Sequence, residues 1–426
     1  MFYNTIYQNK SYCLNRIYDP IPISVRKIRK EVIALKKKIA KIFMASTLLT
    51  GILAGCSGPK GSSGDKSEQI KIGVNLELSG NVASYGESLA QGIDLAVKEI
   101  NKNGGVKGKK IELVKVDNKS DAAEATNGAI KLTSQDKVTA IIGAATSGNT
   151  VAQAQIANDN KTVLLTPSGT APNVTVADNG KLNEYVFRTS FIDPFQGTVA
   201  ANFAANTLKV KKAAIFADSA SDYAKGLAAS FKETFEAAGG EVVAEEAYMA
   251  KDTDFRSTLT RIKSKNPEYV FIPGYYEEVG LIIKQARELG LTVPFMGADG
   301  WDSPKLIELA GTDALNNTYI TNHYSSEDPD KKIQKFVTAY KEANDGNSPN
   351  AFNALGYDTV YLLADAIKRA GSNDAEKIKD ALAETKDLSL VTGIVTIDEK
   401  HNPIKSATVL EYKDGKQVFN TKVNPK

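Results

Sequence analysis

The sequence predicts an α/β fold built on parallel sheets, and three observations support this prediction. From Ile70 onward, short β-branched runs alternate with longer amphipathic stretches, which is typical of βαβ units. The chain continues for 370 residues after Cys56, which is enough for two lobes rather than one core. These residues contain no cysteine, so the stability of the fold must come from packing and not from disulfides.

Eight strands are predicted up to residue 297, each a run rich in β-branched or aromatic residues. Their expected bounds are Ile70–Leu78, Lys110–Asp117, Val138–Ile142, Thr162–Leu165, Ala213–Ala217, Glu241–Tyr248, Tyr269–Pro273 and Pro294–Gly297. Apolar residues at helical spacing predict amphipathic helices between the strands, the clearest around Leu89–Ile100 and over Asp222–Ala238 and Glu278–Leu289.

The end of the chain departs from this alternation. Gly393–Asp398 and Ala407–Tyr412 are expected to be strands without an intervening helix. Asp414 and Gly415 follow the second of them, and this pair is typical of a two-residue hairpin turn.

Residues 1–56 are interpreted as an N-terminal extension and a lipoprotein signal peptide. The apolar run 42–55 follows a lysine cluster and has 14 residues, fewer than the roughly 20 that a membrane span needs. Its Leu-Ala-Gly ending before Cys56 resembles a bacterial lipobox, in which the cysteine is lipidated. The alternative is a buried helix with an incidental cysteine. Residues 57–69 are rich in Gly and Ser and predict a flexible tether.

The charge balance changes when this signal is removed. The whole chain has a formal charge of +3, but residues 1–56 hold ten Lys or Arg and only two acidic residues. The remainder has 43 basic and 48 acidic side chains and is near −5, which gives nucleic-acid binding no electrostatic support. Its two histidines, His323 and His401, lack metal-ligand spacing. We therefore expect no metal, no cofactor, no catalytic residues and no enzyme activity.

Polar loops after two adjacent strands are the first candidate site, because ligands of open parallel sheets bind beyond the carboxyl ends of strands. Ser147 follows one strand and is expected to cap the next helix, whose free N–H groups favour an anion. Ser168 and Thr170 lie in the turn after the next strand. Together these loops would suit a carboxylate and an ammonium group. The alternative is an ordinary cap and an ordinary turn.

Aromatic residues beside an acid follow two later strands. Asp299 is placed to approach a cationic group closely, while Tyr275 and Trp301 exclude water from the pair. The alternative is that Asp299 caps the short helix after it. Tyr85 and Tyr223 occupy the equivalent loops after their own strands.

An ordered series of short motifs resembles the leucine/isoleucine/valine-binding proteins of bacterial ABC importers. The series spans residues 70–426 and no single motif in it is decisive. Its members are Leu78-Ser79-Gly80 with Tyr85-Gly86, residues 103–108, residues 166–172, Phe187-Arg188-Thr189 and residues 295–300.

The resemblance implies a type I periplasmic-binding-protein fold, with two parallel-sheet α/β lobes joined by three hinge crossovers. Lobe 1 would comprise residues 70–190 and 322–405, and lobe 2 would comprise 191–321 and 406–426. The crossings are expected near Thr189–Asp193, Thr321–Tyr324 and Lys405–Ala407.

The resemblance also implies a function. The chain would be an extracytoplasmic lipoprotein that captures an amino acid, with Leu, Ile or Val expected, and delivers it to the membrane subunits of an ABC permease. It would be a monomer held at the membrane through the lipid on Cys56. The alternatives are a receptor of the same fold for an amide, urea or another amino acid, and an exported sensory binding protein.

Transferred by position, the family's ligand contacts fall on residues already singled out. The ligand carboxylate would be bound by Ser147 and Thr170, and the ammonium by Ser168, Thr170 and Asp299. Tyr85, Tyr223 and Tyr275 match aromatic positions around the cleft. Asp299 stands where well-known members have glutamate, and Trp301 is a further departure that is expected to shrink the side-chain pocket.

Overall fold

The structure analysed is a computed structural model of the chain, and it describes residues 69–425. The predictions for Cys56, the signal peptide and the Gly/Ser tether lie outside the described residues. Within residues 69–425, no helix combines the length and the apolar character that crossing a membrane requires.

The first segment of the chain builds a five-stranded parallel sheet, which we call the sheet of lobe 1. Its strands run in the order β2-β1-β3-β4-β5, and helices connect the first four of them. The elements are β1 (Ile70–Leu76), α1 (Ala83–Lys102), β2 (Ile111–Asp117), α2 (Ala122–Ile130), β3 (Ala140–Gly143), α3 (Ser147–Asp159), β4 (Val163–Thr166) and β5 (Val186–Arg188).

The second segment builds most of a seven-stranded sheet, which we call the sheet of lobe 2. The elements are α4 (Asp193–Asn202), β6 (Lys212–Asp218), α5 (Asp222–Ala237), β7 (Glu241–Tyr248), α6 (Arg256–Ser264), β8 (Tyr269–Phe271), α7 (Tyr276–Glu288), β9 (Phe295–Gly297), α8 (Pro304–Ala310) and β10 (Thr318–Asn322).

The last segment contributes to both lobes. Its elements are α9 (Lys331–Ala343), α10 (Ala351–Ala370), α11 (Ala375–Ala383), the small sheet of β11 (Leu388–Leu390), β12 (Gly393–Ile397) and β13 (Pro403–Ile404), and the hairpin of β14 (Ala407–Lys413) and β15 (Lys416–Val423). The hairpin joins the sheet of lobe 2, whose order is β15-β14-β10-β9-β8-β6-β7. Only the pairings of β14 are antiparallel there.

Helix α10 packs closely on α1, so this helix of the last segment belongs to lobe 1. Gly92 and Gly356 allow the two backbones to touch, since a Cβ on Gly92 would lie 2.0 Å from the Asn353 carbonyl oxygen. On Gly356 it would lie 2.3 Å from the carbonyl oxygen of Leu89. Any larger residue at either position would force the helices apart.

Every strand predicted from the sequence is present, with ends that differ by up to two residues. Strand β1 stops at Leu76 because the chain turns there, and the Leu78 N–H donates to the Leu76 carbonyl oxygen. Asp414 and Gly415 form the predicted turn, both with positive φ (50° and 74°) as a type I′ turn requires. The short strands β5, β10, β11 and β13 were not predicted.

Candidate functional site

A small cavity lies where the carboxyl ends of the strands of both lobes meet. The space between its walls is about 230 Å³ with open solvent included, and only about 10 Å³ of it admits a water molecule, so the walls of the two lobes lie close together. Six of the eight candidate residues line the cavity. The full lining is Tyr85, Ala145, Thr146, Ser147, Ser168, Tyr223, Tyr275, Asp299, Gly300 and Phe352.

One hydroxyl group of lobe 1, that of Ser147, is available as a donor at this cavity. The Ser147 Oγ accepts from the backbone N–H groups of Thr170 and Ala171, at 3.2 and 3.1 Å, so its own proton remains free to donate. Thr170 does not line the cavity, and its buried hydroxyl lies beside the carboxylate of Asp193, whose pKa it acts to lower.

Ser168 has the opposite hydrogen-bonding character. Its Oγ donates to the carbonyl oxygen of Ala145 at 2.8 Å, which commits its only proton. The lone pairs of this oxygen can therefore accept from a cationic donor in the cavity.

The prediction that Ser147 caps helix α3 is wrong. Ser147 is the first residue of the helix, Thr146 is the N-cap, and neither side chain makes a capping bond. The donors just before the helix are satisfied by Glu77, a fully buried residue after β1. Its carboxylate accepts from the N–H groups of Ala145 and Thr146 at 2.8 and 3.1 Å, and from the Thr146 hydroxyl and the Asn149 side-chain amide, both at 2.8 Å.

Arg188 holds the turn that carries Ser168 and Thr170. Its guanidinium is fully buried and donates to the carbonyl oxygens of Gly169 (2.7 Å) and Ala171 (2.9 Å) and to Thr175 Oγ1 (3.2 Å). Burial lowers the pKa of Arg188 to about 10, so the group remains charged at neutral pH. With these carbonyls turned toward Arg188, the N–H groups of the turn are free to face Ser147.

Asp299 is the acidic group of the lobe 2 wall. Its Oδ1 accepts from the Tyr223 hydroxyl (2.9 Å) and from Gln196 Nε2 (3.1 Å), and its Oδ2 pairs with His323 Nε2 (3.0 Å). The side chain makes no capping bond to the short 3₁₀ helix of residues 299–301. A carboxylate has about four acceptor sites, so Asp299 keeps one for a donor in the cavity.

His323 supports Asp299 without neutralising it. Burial is the main cause that lowers the pKa of His323, to about 4, although the hydrogen bond to Asp299 opposes the shift. The ring is therefore neutral at neutral pH, and its Nδ1 has no partner, so Nε2 carries the proton that it donates to Asp299. Burial, together with the charge of Asp299, raises the pKa of the neighbouring Asp193 well above its ordinary value.

Aromatic rings form the remaining wall of the cavity. Tyr85 stacks on Phe352 with 4.4 Å between ring centroids, and Tyr223 stacks on Tyr275 with 5.2 Å. The Tyr85 hydroxyl also donates to the Gly300 carbonyl oxygen and thus ties the first helix of lobe 1 to the loop of Asp299. The rings give the cavity an apolar surface and restrict the access of water.

The expectation that Trp301 shrinks the cavity is not met, because Trp301 does not line it. Its indole is fully buried in the core of lobe 2, donates to the Ile272 carbonyl oxygen at 2.9 Å and lies directly over Gly297. A Cβ on Gly297 would lie 2.0 Å from the indole ring, so this glycine is what admits the tryptophan to the core.

Four residues that shape the site were not predicted, namely Glu77, Gln196, His323 and Phe352. Glu77 carried a signal, since it is an acid between two leucines at the end of the first predicted strand. Gln196 and His323 carried none, because they reach Asp299 from elements distant in sequence. Among the described residues, no cluster of His, Cys, Asp and Glu could hold a metal ion.

A family comparison agrees with this arrangement of two lobes around one cavity. The sequence profile of a family described as periplasmic binding protein matches residues 69–417. The chain belongs to this family. The leucine-, isoleucine-, valine-, threonine- and alanine-binding protein of Pseudomonas aeruginosa is 32% identical over 84% of this chain and 93% of its own length.

Solved structures of this family superpose on the model. A leucine-binding protein, LivK, from Thermotoga maritima is 39% identical with a TM-score of 0.79, over 84% of this chain and 99% of its own. The branched-chain amino acid transporter substrate-binding protein LivJ from Streptococcus pneumoniae, in complex with isoleucine, is 40% identical with the same TM-score and covers 84% and 100%. A solute-binding protein from R. palustris, in complex with benzoate, is 28% identical with a TM-score of 0.75 and covers 84% and 97%.

Proposed function

We propose that this periplasmic binding protein captures a branched-chain amino acid for an ABC importer. The observation that carries the proposal is the opposite character of the two cavity walls. Lobe 1 offers the hydroxyl of Ser147, whose proton is free to bind a carboxylate, with Thr170 in the neighbouring turn. Lobe 2 offers Asp299, which has an acceptor site left and suits an ammonium group.

The zwitterion explains why binding would favour the closed arrangement of the lobes. Its carboxylate would be neutralised on lobe 1, while its ammonium would reach Asp299 on lobe 2 and Ser168 on lobe 1. Only a closed cleft makes both sets of contacts, so the ligand shifts the equilibrium toward closure. The aromatic wall of Tyr85, Tyr223, Tyr275 and Phe352 would contact an aliphatic side chain. Isoleucine is bound in the pneumococcal relative, which agrees with this choice of ligand.

The proposal is tested by titration calorimetry with leucine and two analogues, each lacking one of its charges. We expect leucine, isoleucine and valine to bind, and both 4-methylpentanoate and 3-methylbutylamine to bind at least about 30-fold more weakly than leucine. Each analogue leaves one buried polar wall without its partner, a loss of about 2 kcal/mol or more. Benzoate, the ligand of the R. palustris relative, is the control for an anion without an ammonium group. Tighter binding of benzoate or 4-methylpentanoate than of leucine would contradict the proposal.

We further propose that the mature protein is anchored to the cell membrane by a lipid on Cys56. The short apolar run before Cys56 and the Gly/Ser-rich segment after it support this anchor. We expect Cys56→Ser to abolish labelling with a radioactive fatty acid and to move the protein out of the membrane fraction. The replacement of the other cysteine, Cys13→Ser, is the matched control and should change neither result. Retention of the label in Cys56→Ser would rule out the anchor.

A further inference from the structure

Glu77 places a carboxylate against the loop that leads into helix α3. The start of a helix presents unpaired N–H groups and the positive end of the helix dipole, and this combination commonly binds carboxylates and phosphates. Glu77 lies next to this point but accepts only from the N-cap residue Thr146, from Ala145 before it and from the side chain of Asn149, and no backbone N–H of residues 147–149 is among its donors. Both oxygens of its carboxylate are used, Oε2 by the Ala145 N–H and Oε1 by the Thr146 N–H, the Thr146 hydroxyl and Asn149.

The backbone of Glu77 is fixed from the opposite side by helix α1. A Cβ on Gly86 would lie 2.1 Å from the carbonyl oxygen of Glu77, so the two backbones are in direct contact. Tyr85, which precedes Gly86, lines the cavity. The backbone that carries the carboxylate is thus held against helix α1.

The loop that Glu77 holds leads into Ser147, one of the lobe 1 contacts of the proposed ligand. Ala145, Thr146 and Ser147 all line the cavity, whereas Glu77 does not. The N–H of Ala145 donates to Glu77, and the carbonyl oxygen of the same residue accepts from Ser168 Oγ at 2.8 Å. A displacement of this loop would therefore move both Ser147 and Ser168. The charge of Glu77 is also felt within the cavity: burial, with the charges of Asp193, Glu77 and Asp299, raises the pKa of Tyr275.

We propose that Glu77 is a positioning residue of the ligand site, a built-in anion that fixes residues 145–147 and leaves the ligand carboxylate to Ser147 and Thr170. The proposal rests on the proposed function for the identity of the ligand. The geometry of the built-in anion is independent of that ligand and can be tested without it.

The test replaces the side chain by a free ion. Glu77→Ala removes one CH₂ group and the carboxylate, which together have the size and charge of acetate. We expect Glu77→Ala to lower the melting temperature and to weaken leucine binding at least tenfold, and acetate to reverse both effects in a saturable manner. Sodium chloride at equal ionic strength controls for screening. Affinities are measured at a temperature at which the variant is fully folded.

The matched control is Glu77→Gln, which fills the same space. Its amide places an NH₂ group against backbone donors, so it too should bind leucine more weakly, but acetate has no vacancy to enter and should not restore it. Wild-type protein should not respond to acetate. Absence of acetate rescue in Glu77→Ala, or equal rescue in Glu77→Gln, would overturn the proposal.

A milder variant covers the case in which Glu77→Ala does not fold. Asn149→Ala removes a single donor to Glu77 at a residue that does not line the cavity, and we expect leucine binding to weaken several-fold. Unchanged affinity in this folded variant would count against a positioning role. If wild-type protein bound no amino acid, the proposed function would fail, yet the acetate-dependent melting temperature of Glu77→Ala would still decide whether the carboxylate is a built-in anion.

Discussion

Replacement of Asp299 by asparagine is expected to weaken leucine binding by about 2 to 5 kcal/mol, or roughly 30-fold to several thousand-fold. The carboxylate is buried at 3% exposure, and its partners Gln196, Tyr223 and His323 are all held as neutral donors. Asparagine keeps the shape but removes the charge that would face the ammonium group. It also turns an NH₂ group toward one of these donors. Titration calorimetry with leucine measures the loss.

Asp302→Asn is the matched control for this variant. Asp302 is another buried acid three residues further on, and it accepts from Asn322, the Ala351 N–H and Gln417. It does not line the cavity. We expect Asp302→Asn to lower the melting temperature while the dissociation constant for leucine stays within a few-fold of wild type. Wild-type affinity in Asp299→Asn would eliminate Asp299 as the ammonium partner.

The sequence was sufficient for the strand–helix order because each element is specified locally. The β-branched runs and the glycines that end the helices are contiguous signals, and these strands are present within two residues of their predicted ends. Strand β5 has only three residues, and β10 carries three polar residues among its five. A periodicity test cannot recognise such short or polar strands, whose pairing in the sheet depends on neighbours far away in sequence.

Part of the candidate site was also predictable from the sequence. Six residues lie around one cavity because loops after parallel strands converge at one edge of a sheet. The direction in which a side chain points is not a local property. Serine is a common helix cap, yet the hydroxyl of Ser147 accepts from the turn of Thr170 and Ala171 and makes no capping bond. Trp301 follows Asp299 by two residues but turns into the core, where Gly297 leaves room for it.

Arg188→Lys is expected to reduce both stability and binding. The guanidinium reaches two carbonyl oxygens and a hydroxyl at once, and a lysine ammonium on a flexible stem cannot reproduce this planar fork. Buried acceptors left without a donor should lower the free energy of unfolding by about 2 to 5 kcal/mol, which denaturant titration measures. The turn of Ser168 and Thr170 would relax as well, so we expect leucine affinity to fall about tenfold or more, by ~1.4 kcal/mol.

Arg287→Lys is the matched control, and it separates the loss of stability from the loss of leucine affinity. Arg287 is the counterpart of Arg188 in lobe 2, where it donates to the carbonyl oxygens of Leu291, Val293, Ala314 and Asn316. It is remote from the cavity lining. Its replacement should lower the free energy of unfolding and leave the dissociation constant for leucine unchanged. Arg188→Lys could lose as much stability as Arg287→Lys and still bind leucine as tightly as wild type. In that case Arg188 would be a structural residue of the turn without influence on the ligand site. The joint loss of stability and affinity, found in Arg188→Lys alone, is the result that the geometry of the turn requires.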